Sequence, residues 1–335
     1  MRSPARRVAL AVSALLFVAS VSAAMLSSGE ASARPTGGTL RLVAYSTPRE
    51  AYGKLIPAFQ DTTAGKGTSF EQSYGASGEQ ARAVIAGLKA DVVAFSLEPD
   101  MTSLVKAGLV AKGWKQDRFG GMVSRSVVVF AVRKGNPKNI RSWADLIKPG
   151  IDVVTPNVQT SGGAKWNVMA AYGAQRKIGL SHPRAVKYLE RLYDHVVSQD
   201  KSAREALQTF LAGRGDVMLA YENEAIFAQK KNQPLDYVIP KATISIENPI
   251  AVGKRSGNKA VACAFIGYLR TKPAQLIFGE NGYRPVLRSA AKQFGFPVPP
   301  LQFTIQYLGG WAKVDRQFFD SRTGIVTKIQ KRKGG

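Results

Sequence analysis

Four short turns carry the residues of this sequence that could hold a ligand. Thr47-Pro48-Arg49-Glu50 places a capping threonine before a proline suited to the first helical position, with an acid next but one. Ser77-Gly78-Glu79-Gln80 and Ser202-Ala203-Arg204-Glu205 follow the spacing of a capping box. Thr160-Ser161-Gly162-Gly163 lacks the acid but brings two glycines, which open the backbone amides to close approach. Each helix start offers N–H groups without an intrahelical partner and the positive end of a dipole, which suits an oxyanion. A capping box is also an ordinary way to begin a helix. Ser-Gly-Gly is the more pointed signal, since glycines there cost helix stability.

Enzyme chemistry finds little support. His182 and His195 are the two histidines, and Asp194 next to His195 makes no triad by adjacency. Gly65-Lys66-Gly67-Thr68 lacks the earlier glycine of a phosphate-binding loop, and no His/Cys cluster suggests a transition metal. The sequence therefore predicts no catalytic residue, no metal and no cofactor.

The elements that must position these turns read as an α/β protein with parallel strands, because short apolar runs alternate with helical periodicity from Thr39 onward. Strands are expected over 40–44, 69–73, 91–95 and 123–132, with helices over 48–59 and 78–88. Lys134-Gly135-Asn136-Pro137 then punctuates the chain, and the pattern restarts. Strands follow over 151–155, 195–198 and 216–220, with helices over 163–175, over 203–212 and from Glu222. A last extended segment covers 248–253, and the remainder is mainly helical. The four turns each follow an expected strand, so they can face one cleft beyond the strands' carboxyl ends. Two α/β halves joined by extended segments imply hinged lobes, residues 38–124 with 252–330, and residues 125–251.

Residues 1–33 read as a signal peptide: Arg2, Arg6 and Arg7 precede an apolar run from Val8 to Met25, and Ala31-Ser32-Ala33 or Val21-Ser22-Ala23 offers a cleavage site. The single cysteine, Cys263, stands far from that segment in an apolar context that reads as a buried thiol. The net charge is +24, and the segment's own net +2 leaves +22 for the rest. Such an excess attracts anions of any kind. The basic residues are scattered rather than clustered, apart from Lys328 and Lys331-Arg332-Lys333, and no nucleic-acid motif is present.

Further blocks add a resemblance. Arg133-Lys134-Gly135-Asn136-Pro137-Lys138 is followed by Trp143-Ala144-Asp145-Leu146-Ile147-Lys148-Pro149-Gly150. Thr155-Pro156-Asn157 precedes Thr160-Ser161-Gly162-Gly163-Ala164-Lys165-Trp166-Asn167. Gly215-Asp216-Val217, Glu222-Asn223-Glu224-Ala225, Tyr283-Arg284-Pro285 and Gly309-Gly310-Trp311 come later. In this order, from about Leu40 to Ile329, they resemble the periplasmic sulfate-binding proteins and their thiosulfate-binding relatives. The resemblance implies a two-lobed, type II periplasmic-binding fold that closes over one dehydrated sulfate dianion held by neutral donors. It assigns the main-chain N–H of Ser46, the donor serine Ser77, the hydroxyl of Ser161, and the amides of Gly162, Gly163 and Ala203. Tyr221 stands where the family has a donating tryptophan, and a phenol can accept as well as donate. That leaves sulfate against thiosulfate, molybdate or phosphate open at this residue. The resemblance further implies a monomeric periplasmic receptor with a membrane permease and ATPase subunits as partners, and no nucleic acid.

Overall fold

Apolar alternation and helical spacing build the first half directly. Strand β1, Thr39–Tyr45, buries Leu40 and Leu42 to Tyr45, and helix α1, Arg49–Gln60, turns Ala51, Tyr52, Leu55, Ile56 and Phe59 inward. Then follow β2 (Ser69–Gly75), α2 (Ser77–Ile85), β3 (Val92–Ala94) and α3 (Glu98–Lys106). β1 pairs in parallel with both β2 and β3. This computed structural model describes residues 37–332, so the expected signal segment lies outside the described residues. No helix among them is long and apolar enough to cross a membrane.

Strand β4, Met122–Arg133, leads to the second half: β5 (Val153–Pro156), α4 (Gly162–Lys177), α5 (His182–Asp194), β6 (Val196–Asp200), α6 (Ala203–Leu211), β7 (Val217–Tyr221), α7 (Glu222–Lys230) and β8 (Leu235–Val238). β5 pairs in parallel with β6 and β7. β9 (Ser245–Val252), α8 (Lys259–Leu269) and α9 (Lys272–Glu280) return the chain to the first half's core.

The strand order is β2-β1-β3-β9-β4-β7-β5-β6. The expected parallel arrangement holds inside each half, but β4 and β9 run antiparallel to their neighbours. β4 pairs with β9 through Val127 and with β7 from Val128; β9 passes from β4 to β3 at Pro249 and Ile250. Two long strands thus belong to both halves at once.

The apolar cores divide accordingly. Leu40, Tyr52, Val92, Ile250, Phe265 and Phe278 share one; Phe130, Trp143, Trp166, Tyr188 and Leu219 share another. The C-terminal segment departs from the expected division of the chain. Phe303, Trp311, Phe318, Val326 and Ile329 pack with the second core, although they were expected with 252–330 in the first lobe. Trp311 meets Trp166 edge-on at 4.7 Å, and Gly309 and Gly310 turn the chain into that contact at φ +95° and +80°.

Cys263 also departs from expectation. Helical spacing sends Val261, Ala262, Phe265 and Ile266 of α8 inward and leaves Cys263 exposed. His182 and His195 have structural partners, the Tyr172 hydroxyl and the Ile151 carbonyl.

Trp311→Ala should cost about 3–5 kcal/mol in urea unfolding, the usual loss for a buried aromatic. A loss under about 1 kcal/mol would show that the C-terminal segment is not part of the second core.

Candidate anion site

The carboxyl ends of six strands meet at one small cavity. β1 delivers Tyr45, Ser46 and Thr47; β2 delivers Ala76 and Ser77; β3 delivers Ser96. From the second half come Ser161 and Gly163 after β5, Ala203 after β6, and Tyr221 at the end of β7. The structure therefore brings together Ser46, Ser77, Ser161, Gly163, Ala203 and Tyr221 of the expected set. Gly162 is set back from the wall. A Cβ on Gly162 would meet Leu97 Cδ2 at 1.9 Å and Ser96 Oγ at 2.7 Å, so close packing requires that glycine. At Gly163 a Cβ would instead lie 3.4 Å from Ser161 Oγ, 3.5 Å from Ala203 Cβ and 3.6 Å from Tyr221 Cε1, inside the cavity.

The helix starts supply the polarity. Ser77, Gly162, Gly163 and Ala203 are first-turn residues of α2, α4 and α6, where no intrahelical acceptor exists. Among the described residues, no acceptor takes their N–H groups or that of Ser46. The neighbouring Gly78 differs, since its N–H donates to Thr160 O at 3.0 Å and ties α2 to the turn before α4.

The caps divide into one that formed as expected and two that did not. Ser202 caps α6 by accepting from Glu205 N–H at 3.2 Å. Thr47 is not a cap: α1 begins after Pro48, and Thr47 Oγ1 is bonded to Tyr283 Oη at 3.0 Å. Ser77 is the first residue of α2, and its hydroxyl is committed elsewhere. It donates to Asp100 Oδ2 at 2.5 Å and accepts from Ser96 N–H at 2.9 Å. The expected donor serine thus offers the cavity its main-chain N–H, not its hydroxyl. Burial raises the Asp100 carboxyl above its ordinary range, partly offset by the Ser77 bond.

Ser161, 4% exposed, lines the cavity with a hydroxyl that makes no hydrogen bond to any described residue. Tyr221 Oη lies 2.6 Å from Ser96 Oγ, both residues being buried. Tyr45 is buried too, and its hydroxyl is unpaired. Ser96, Tyr45, Thr47 and Ala76 were not foreseen as wall residues. Ser96 carried a signal, a serine at the carboxyl end of an expected strand, but no glycine or capping box follows it.

Among the described residues, no charged residue lines the cavity. Arg204, adjacent to Ala203, turns away from it. Its guanidinium donates to Glu50 at 2.7 and 2.9 Å and to Glu224 at 2.9 and 3.0 Å. Burial opposes the Arg204 charge, but the two carboxylates outweigh it and hold the pKa raised. Glu222 is bonded to Arg284 in the same way, at 2.7 and 3.0 Å. Burial raises the pKa of both Glu222 and Glu224, and the arginines act against it. The result is a neutral cavity rich in N–H donors, suited to a small, fully ionised oxyanion.

Comparison with known proteins agrees. A model of the bacterial extracellular solute-binding proteins matches residues 40–284. A sulfate-binding protein of Synechococcus elongatus is 40% identical, over 100% of this chain and 98% of its own. The chain belongs to the sulfate-binding family of bacterial extracellular solute-binding proteins. The solved structure of the sulfate-binding protein SubI from Mycobacterium tuberculosis matches with a TM-score of 0.82 and 44% identity, over 84% of this chain and 99% of SubI. A thiosulfate-binding protein of Escherichia coli is more distant, at 34% identity over 83% of this chain and 87% of its own. The fold is accordingly the two-lobed, type II periplasmic-binding fold expected from the sequence.

Gly163→Ala should fold normally and lose oxyanion binding by roughly a hundredfold, because its methyl group overfills the site without striking the backbone. Calorimetry beside a melting curve checks it; retained binding would place the anion elsewhere. Arg204→Met should cost about 3 kcal/mol by leaving Glu224 buried and unpaired. That penalty should shrink between about pH 8 and about pH 5. An unpaired, buried carboxyl has a folded pKa above its unfolded value, so its destabilisation fades as the pH falls through the folded pKa. Urea unfolding at the two pH values measures both effects.

Proposed function

We propose that this protein is an extracytoplasmic receptor that binds one dehydrated sulfate dianion and delivers it to an ABC importer. The observation that carries the reading is the set of unpaired N–H groups of Ser46, Ser77, Gly163 and Ala203, gathered with the free Ser161 hydroxyl in a cavity that no described charged residue lines. Sulfate is fully ionised at neutral pH and only accepts hydrogen bonds, so a site of donors satisfies it completely. A protonated phosphate brings a hydrogen that needs an acceptor, and a buried polar group left unpaired costs roughly 1–3 kcal/mol.

In this reading the protein is a transport receptor, not an enzyme. It acts as a monomer in the periplasm after removal of the signal segment, with a membrane permease and its ATPase subunits as partners. Residues of both halves wall the anion, so closure of two lobes about β4 and β9 admits and dehydrates it.

Thiosulfate is the second reading, and Tyr221 is the reason for it. The Tyr221–Ser96 hydroxyl pair sends one proton between its own oxygens and has one left for the anion. Whichever hydroxyl faces the ligand also carries lone pairs, unlike an N–H donor. This wall tolerates a differently shaped or weaker accepting atom, such as a terminal sulfur, better than a ring of N–H groups would.

Titration calorimetry at fixed ionic strength should find one sulfate per protein at about 1 µM or tighter. Phosphate should bind at least about tenfold more weakly, and Ser161→Ala should weaken sulfate by about ten- to a hundredfold. Preference for thiosulfate, relieved in Ser96→Ala or Tyr221→Phe, would establish the second reading. No saturable binding of any small oxyanion would overturn both.

A further inference from the structure

A second cavity, sharing no lining residue with the anion site, opens between the end of α4, the residues before and after Trp143, and the stretch from Pro240 to Ala242. Its volume is about 520 Å³, within the usual range of roughly 300–1,000 Å³ for small-molecule sites. Trp143, Ile178 and Leu301 give it apolar walls, and Ile178 is 61% and Leu301 40% exposed. Large apolar side chains left in water at the mouth of an apolar cavity need a reason.

Gln175 supplies the second observation. It lines this cavity, is 5% exposed, and its side-chain amide forms no hydrogen bond with any described residue. An amide without a described protein partner, facing the open cavity from an apolar wall, is the polar group that orients a ligand. At the rim stand Arg141 and Lys241, both exposed, neither in an ion pair with a described carboxylate. The Trp143 indole is already held, donating to Ala242 O at 2.8 Å, so that wall is fixed in place.

We infer that this cavity binds a small amphipathic organic acid. The ligand's apolar body lies between Trp143, Ile178 and Leu301, a carbonyl or amide of its chain meets Gln175, and its carboxylate faces Arg141 and Lys241. The site is separate from the sulfate reading and stands or falls without it.

N-octanoylglycine carries all three features and is the probe, titrated by calorimetry into the full-length mature protein with sulfate present in excess. Octanoate lacks the internal amide, and the methyl ester of N-octanoylglycine lacks the charge. One-to-one binding of N-octanoylglycine is expected, several-fold tighter than either comparator. Ala144→Trp, at an exposed position on the cavity wall, should weaken it more than tenfold while the melting curve and sulfate titration stay as in the parent. Gln175→Leu should equalise N-octanoylglycine and octanoate, and the double change Arg141→Ala, Lys241→Ala should equalise acid and ester. Absence of saturable binding to the parent protein, or binding that Ala144→Trp leaves intact, overturns the inference. A lost sulfate titration with normal N-octanoylglycine binding would instead count against the sulfate reading alone.

Discussion

Main-chain N–H groups that face no acceptor are what this molecule is organised to maintain. Each buried donor without a partner costs roughly 1–3 kcal/mol, and Ser46, Ser77, Gly163 and Ala203 bring several of them to one place. A free chain end or loop would relax until a carbonyl filled the gap. Parallel strands followed by helices prevent that. β2, β5 and β6 deliver the starts of α2, α4 and α6 at fixed positions, and helix geometry forbids an internal acceptor in the first turn. The dipoles of those helices then favour an anion without any side-chain charge.

The residues that seem to be the obvious anion ligands, the arginines, hold this frame instead. Glu222-Asn223-Glu224 opens α7 directly behind Tyr221. Glu222 accepts from Arg284, Asn223 Oδ1 accepts from Ser126 Oγ at 2.9 Å, and Glu224 accepts from Arg204. Arg204 also reaches Glu50 of α1, which binds the two halves together next to the cavity, while Tyr283 holds Thr47 within the first half. Trp166 adds another tie by donating its indole N–H to Ser96 O at 2.8 Å. Asn167 Nδ2 fixes α4 to its own sheet through Thr155 Oγ1 and Leu219 O. Pairing Arg204 and Arg284 with carboxylates leaves the site electrically neutral but rigid.

This division explains what could be read from the sequence. Most strands and helices were legible because their apolar spacing is regular, as in α1 and β7, whereas the short β8 was not expected. The site was legible where its chemistry lives in the backbone: Ser-Gly-Gly announces exposed amides at α4. Side-chain roles were harder, because they depend on partners distant in sequence. Nothing near Ser77 indicates that Asp100 will take its proton, and nothing near Thr47 indicates Tyr283. α3 and α5 went unread although their starts were marked, α5 by Ser181 with Pro183 in the first turn and α3 by Pro99 between Glu98 and Asp100. The C-terminal segment was misplaced because its destination rests on Trp166 and Trp311 meeting across 145 positions of chain. Local pattern fixes elements, while long-range pairing decides which core they join.

The contrast between the surface and the site carries the last step. An excess of 22 positive charges beyond residue 33 surrounds a cavity with no charged wall residue. A cation inside would bind any anion strongly and distinguish poorly between them, because Coulomb attraction depends on charge more than on protonation or shape. Donor N–H groups distinguish by counting protons, since each must find a lone pair. The surface field can therefore raise the local concentration of every anion, with salt screening it over about 8 Å at physiological strength. Selection is left to the dry interior, where the dielectric is low and an unmatched hydrogen costs most. Within that interior the Tyr221–Ser96 pair, together with the Ser161 and Tyr45 hydroxyls, can trade a donor for an acceptor, so under the proposed function selectivity is tuned at these hydroxyls rather than at the N–H groups.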